Sequence, residues 1–203
     1  MKRHKFEEIL DSEFRWPTAG DAPFVVAADP HANANIADDE FTRLVLMTDG
    51  YKKAADLMVE RATNEPTERD YLVCPIIFNY RQFIELSLKY AIATYGRTVG
   101  IDAIWKSHDL VRLWQAFAEL LQRYGTSDPD IADPVVSEIV AEFAKIDPGS
   151  YSYRYPVDTN GNPIPITYAD LHLPTLADVM SGVAGYFSGT DAYLSDLQGA
   201  GPS

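Results

Sequence analysis

The sequence predicts a mainly α-helical domain, a bundle of four or five helices with a β-hairpin inserted near residues 150–168. Three observations predict it. Apolar residues recur at helical spacing over most of the chain after residue 37. In one stretch, around Tyr151, the period falls to two and an Asn-Gly turn signal follows. The composition, 46% hydrophobic in 203 residues, supplies apolar material for one core, and no long linker divides the chain.

The elements follow in order. Residues 1–36 read as an irregular lead-in packed on the core, punctuated by Pro17, Gly20, Pro23 and Pro30. Phe24-Val25-Val26-Ala27-Ala28 is expected as one short strand, with Phe14 and Trp16 as anchors. A first helix is expected over 38–62, where Phe41, Leu44, Val45, Ala55 and Val59 share helical spacing, ending at Asn64-Glu65-Pro66. A second is expected over 68–95, with Ile76, Ile77, Tyr80, Phe83, Ile84 and Leu88 on one broad face and Gly96 as its stop. Pro75 offers a later start for that helix. Ser107 is the expected N-cap of a third, whose stripe includes Leu113, Trp114, Phe117 and Leu120 and which Gly125 closes. Asp133-Pro134 reads as the cap and first position of a fourth, which ends before Pro148. Tyr151, Tyr153 and Tyr155 then alternate with polar residues as in a strand, Asn160-Gly161 turns, and Ile164, Ile166 and Tyr168 return. Pro163 and Pro165 make that return an edge strand. A last helix is expected over 173–197, with residues 198–203 a loose tail.

Charge and composition narrow the function. Thirty acidic residues against 17 basic give a formal charge of -13, and such a surface repels phosphate backbones, so general nucleic-acid binding is not expected. Cys74 is the single cysteine, which rules out an intrachain disulfide and a cysteine-based zinc site, and it is expected as a small buried hydrophobe. His4, His31, His108 and His172 lack metal-ligand spacing, and no phosphate-binding glycine loop or nucleophile elbow occurs, so neither metal nor cofactor is expected. No apolar segment follows the basic start, and no apolar run reaches the ~20 residues of a membrane span. A cytoplasmic location is expected.

Three places carry candidate chemistry. On the second helix Arg81, Glu85 and Lys89 stand at i, i+4 and i+8, on a face that also holds Cys74, Phe78 and Ile92. The row is either a solvated ladder or a polar row facing a groove, a partner or a ligand. His108-Asp109 opens the third helix: Asp109 suits the positive end of the helix dipole, and His108 is a weak candidate for an acid or base. Arg154-Tyr155 lies in the expected hairpin, with Arg154 either exposed or returned towards the second helix.

The run from Arg81 to Lys89, followed by His108-Asp109-Leu110 with Leu113-Trp114, resembles the HEPN superfamily. The resemblance covers roughly residues 38–197 and implies a compact helical bundle, often dimeric, of prokaryotic defence and toxin–antitoxin systems. Active members are metal-independent ribonucleases marked by an arginine and a following histidine with four to six residues between them. No histidine here has that arginine: the offsets before His108 hold Ile101, Asp102 and Ala103. The resemblance therefore implies a non-catalytic binding or scaffold member, a homodimer through the second and third helices, with a possible partner protein from a neighbouring gene. Arg81, Glu85, Lys89, His108, Asp109, Arg154 and Tyr155 would form its polar network or groove. The alternatives are a ribonuclease with a rearranged site, using His108 with Arg81 or Arg154, and a small-molecule sensor with the hairpin as a lid.

Overall fold

The computed structural model describes residues 15–128 and 130–200. The chain divides into two compact units between Ala37 and Asp38.

In the first unit the expected strand at 24–28 does not form. Its backbone finds a side chain instead of a strand: the Ala27 N–H donates to Asn33 Oδ1 at 2.8 Å, and Asn33 Nδ2 donates to the Ala27 carbonyl at 3.0 Å. A short 3-10 turn, Pro30–Ala32, closes this loop, with Asp29 accepting from the His31 N–H. Phe24, Val25 and Val26 are left exposed. Phe14 lies outside the described residues, and Trp16 is partly exposed.

The second unit is a helical bundle. Its helices are α1 (Glu40–Asn64), α2 (Arg69–Tyr95), α3 (Leu110–Tyr124), α4 (Ala132–Ile146) and α5 (Leu173–Ala200). α2 is the centre and packs against α1, α3 and α5, while α4 packs on α3 and α5. That position follows from its sequence, because a helix apolar around most of its circumference has to be covered on all sides. Tyr80, Ile84 and Leu88 of α2 meet Leu113, Phe117 and Leu120 of α3 and Met180 and Val183 of α5 in one core. Phe117 is the hub of an aromatic cluster: its ring lies 5.4 Å from Trp114 and 6.0 Å from Phe187, within the range of favourable edge and tilted contacts.

Local chemistry shifts several boundaries. Pro75 lies inside α2, not at its start, and the Asn79 side chain donates to the Pro75 carbonyl at 2.7 Å. Cys74 on the same turn is exposed, contrary to expectation, because this part of α2 turns it away from the core. Gly96 ends α2 where only glycine fits, since a Cβ there would stand 2.6 Å from the Ile101 carbonyl oxygen. The cap of α3 is Asp109, whose carboxylate accepts from the N–H groups of Val111 and Arg112, while Ser107 only supports Asp109 from behind. The first turn of α4 is capped by Asp128, which accepts from Ala132 and Asp133, in place of the expected Asp133 cap. α5 continues beyond 197 to Ala200, and Gln198 donates to Thr98 Oγ1 at 3.0 Å.

The expected hairpin near 150–168 is absent, and no strand occurs among the described residues. Asp147 is the cause at its start. Oδ1 accepts from the Tyr151 and Ser152 N–H groups at 2.8 and 2.9 Å, and Arg154 and Tyr155 then donate back to the Tyr151 carbonyl. The tyrosines therefore lie on a turn, not on an extended face. The chain does reverse at Gly161, whose φ of +82° suits glycine, but the legs share only one isolated bridge, Val157–Pro163. Pro156, Pro163 and Pro165 remove the N–H groups a ladder would need.

This division between core and segment is measurable. Phe117→Ala is expected to cost ~3–5 kcal/mol in urea unfolding. Ile166→Ala, at an exposed site in the expected hairpin, should change stability by no more than ~0.5 kcal/mol. Equal losses would show that the segment belongs to the core.

Candidate functional site

The Arg81, Glu85 and Lys89 row is not a solvated ladder. All three side chains are buried, with Arg81 at 0% and Glu85 at 1% exposure. The row faces the loop entering α3 and the turn leaving α4, so the bundle closes over it.

Arg81 joins three parts of the chain. Nη1 donates to Glu85 Oε2 at 2.9 Å on its own helix, Nη2 to the His108 carbonyl at 2.7 Å, and Nε to the Asp147 carbonyl at 2.9 Å. The Asp147 carboxylate stands 3.4 Å from Arg81 Nε, and its Oδ2 is buried without a hydrogen-bond partner, so it meets the guanidinium by charge alone. Glu85 Oε1 accepts from Lys89 Nζ at 2.8 Å and lies 2.8 Å from His108 Nδ1. Two cations and two carboxylates thus balance inside the fold, which is what makes their burial tolerable. Burial pushes the Glu85 carboxyl up, but Lys89 foremost, with Arg81 and His108, outweighs burial and holds it below its ordinary value.

An ionised Glu85 requires His108 Nδ1 to carry the proton that lies between them. In the neutral imidazole the other ring nitrogen, Nε2, is an acceptor, and the ring is 60% exposed. The arrangement is an exposed histidine oriented by a buried carboxylate, able to take a proton or meet a polar group. Arg81 does not serve as a cation for a group bound at that nitrogen, because it reaches only the His108 backbone and is itself enclosed.

The other expected site residues are placed elsewhere. Asp109 is committed to capping α3. Arg154 returns to α2 but meets Phe78 there, with its guanidinium 5.5 Å from the ring centre and 5.7 Å from that of Tyr155. It makes no ion pair with Glu85, whose partners are Arg81, Lys89 and His108. Sequence reasoning missed Asp147 and the Gln82 to Ser150 hydrogen bond, 2.7 Å long, that fastens the same turn to α2. Asp147-Pro148-Gly149 is legible as a turn, but its pairing with an arginine 66 positions earlier is not.

The described residues hold no group of histidine, cysteine or carboxylate side chains suited to a metal ion. No described helix is long and apolar enough to cross a membrane. A cavity of about 520 Å³ opens between α1, α2 and α5, and the ionic row does not line it. The chain matches no family model, no curated protein and no solved structure.

Glu85→Gln leaves Arg81 and Lys89 buried without their shared counter-charge, and should cost ~3–5 kcal/mol in denaturant unfolding. A carboxyl held below its ordinary value stabilises the fold above that value, and the contribution is lost as pH falls through the depressed folded value. The gap between parent and variant should therefore be full at neutral pH and shrink below the ordinary carboxyl value of 4.5. A gap that widens on acidification would contradict the assigned charge state.

Proposed function

We propose that this chain is a non-catalytic HEPN-like binding or scaffold domain of a prokaryotic defence or toxin–antitoxin module, acting as a homodimer. The reading rests on the helical bundle together with one observation, the commitment of Arg81. Cleavage of RNA without metal needs a group that moves protons and a cation beside the phosphate. Arg81, which bonds the His108 carbonyl, has all three of its nitrogens bonded inside the protein. The sequence offers no arginine at the family spacing before any histidine, and the -13 charge gives RNA no general attraction.

The partner surface has to be other than the one first expected, because α2 is covered by its own bundle. Leu46 and Leu57, both exposed and about three turns apart on one side of α1, supply two apolar anchors for it, with Lys53 between them. Sedimentation at micromolar concentration should give twice the chain mass of 22.6 kDa, and Leu46→Glu with Leu57→Glu should return it to a monomer. A monomeric parent removes the dimer from the reading.

One observation favours a second reading, a metal-independent ribonuclease with a rearranged site: Glu85 holds the exposed His108 ring in a fixed orientation. Incubation with single-stranded RNA and with tRNA in EDTA, beside His108→Ala, separates the two. No cleavage is expected from either protein. Cleavage by the parent that His108→Ala abolishes would replace the scaffold reading with the enzyme. The sensor with a hairpin lid is not retained, since 150–168 forms no hairpin and supplies no wall of the 520 Å³ cavity.

A further inference from the structure

The cavity between α1, α2 and α5 lies on the far side of α2 from the ionic row. Its volume, about 520 Å³, falls in the range of small-molecule sites. Phe83, Phe117 and Phe187 floor it, with ring centroids 6.0–6.1 Å apart across the Phe187 contacts. It stays open because the walls above these rings carry small side chains, Ser87 and Ala91 on α2 and Ala184 on α5. The wall hydroxyls of Ser87 and Thr48 donate to carbonyls of their own helices, Phe83 and Leu44. With these two hydroxyls committed, the floor and the walls beside it suit an apolar body.

The mouth is different. α1 turns Asp49, Lys52, Lys53 and Asp56 towards it, and α5 adds Asp191. Two of these carboxylates already have donors: Asp56 accepts from Lys52 at 2.7 Å and Tyr80 at 2.8 Å, and Asp191 accepts from Tyr95 at 2.6 Å. Lys52 uses one of its N–H groups in this way, and Lys53 makes no hydrogen bond or ion pair among the described residues. The unused capacity at the mouth is thus mainly that of ammonium donors. Asp49, the remaining carboxylate, also makes no hydrogen bond or ion pair among the described residues and disfavours a second negative charge on a ligand.

We propose that this cavity binds a singly charged amphipathic anion, an aromatic or acyl carboxylate, with its apolar body on the phenylalanine floor and its head between Lys52 and Lys53. A chain of net charge -13 does not draw anions in from a distance, so burial of the apolar body supplies the affinity and the lysines fix its direction. A phosphate monoester, carrying nearly two charges, is disfavoured by Asp49. The inference does not depend on the scaffold reading.

The probe is 8-anilinonaphthalene-1-sulfonate, an aromatic body with one negative charge, followed by fluorescence on the folded full chain and displaced by dodecanoate. One probe per chain is expected. Ala184→Phe fills the cavity and should weaken both this probe and the neutral N-phenyl-1-naphthylamine by on the order of tenfold. Lys53→Glu should weaken the anionic probe about fivefold and leave the neutral one unchanged. Circular dichroism and melting temperature establish that each variant is folded, and Ser188→Leu, at an exposed position on the rim, replaces Ala184→Phe if that variant does not fold. Filled variants that bind both probes like the parent overturn the site. Lys53→Glu acting on both probes alike, or on neither, overturns the placement of the head. Conversion of a dimer to a monomer by the filling substitutions, measured by sedimentation, would assign the cavity to a contact between copies and overturn the ligand.

Discussion

Arg81, Glu85, Lys89 and Asp147 are buried within one small bundle, and each would be costly there without the others. A carboxylate or guanidinium loses its hydration on burial and regains stability only from close, well-directed partners. Arg81 meets that requirement by bonding to three separate stretches: its own helix, the loop that enters α3, and the turn that leaves α4. The positions of those stretches are therefore tied to a single guanidinium. The geometry of His108 and the course of the chain after Ile146 both depend on it.

α2 separates two unlike environments. One side carries the ionic row, closed over by loops and capped by the His108 ring. About half a turn round, Phe83, Ser87 and Ala91 face α1 and α5, where small side chains leave a cavity over aromatic rings. A central helix can do this only if both faces are enclosed, and the covering differs: hydrogen-bonded loops over the charges, amphipathic helices over the apolar side. The charged stripe of α1 then marks the mouth of the cavity. These residues read as an ordinary solvated helix face until the helix opposite is known.

The segment after α4 shows how one buried side chain overrides a local pattern. Tyr151, Tyr153 and Tyr155 alternate as a strand would, but a strand needs a partner with free N–H groups. Pro156, Pro163 and Pro165 remove several of them. Asp147, held in place beside Arg81, offers its carboxylate to the Tyr151 and Ser152 N–H groups and winds the chain into a turn. Ser150, at φ 61°, adopts a left-handed backbone that non-glycine residues seldom take, and its hydroxyl accepts from Gln82 on α2.

The sequence by itself determined the helices, because an apolar period of 3.6 residues is a local property that burial on one side enforces. It determined that Arg81, Glu85 and Lys89 share a face, since their spacing of four leaves no other choice in a helix. It also determined that no histidine follows an arginine with four to six residues between them. Only the tertiary structure decided that the row is buried, that Asp147 and the His108 carbonyl complete it, and that Arg154 rests on Phe78 and not beside Glu85. The physical reason is that the cost of burying a charge depends on partners brought from 66 and 27 positions away. Separations of that size leave no period for a sequence pattern to carry, whereas the fold brings the partners to hydrogen-bond distance.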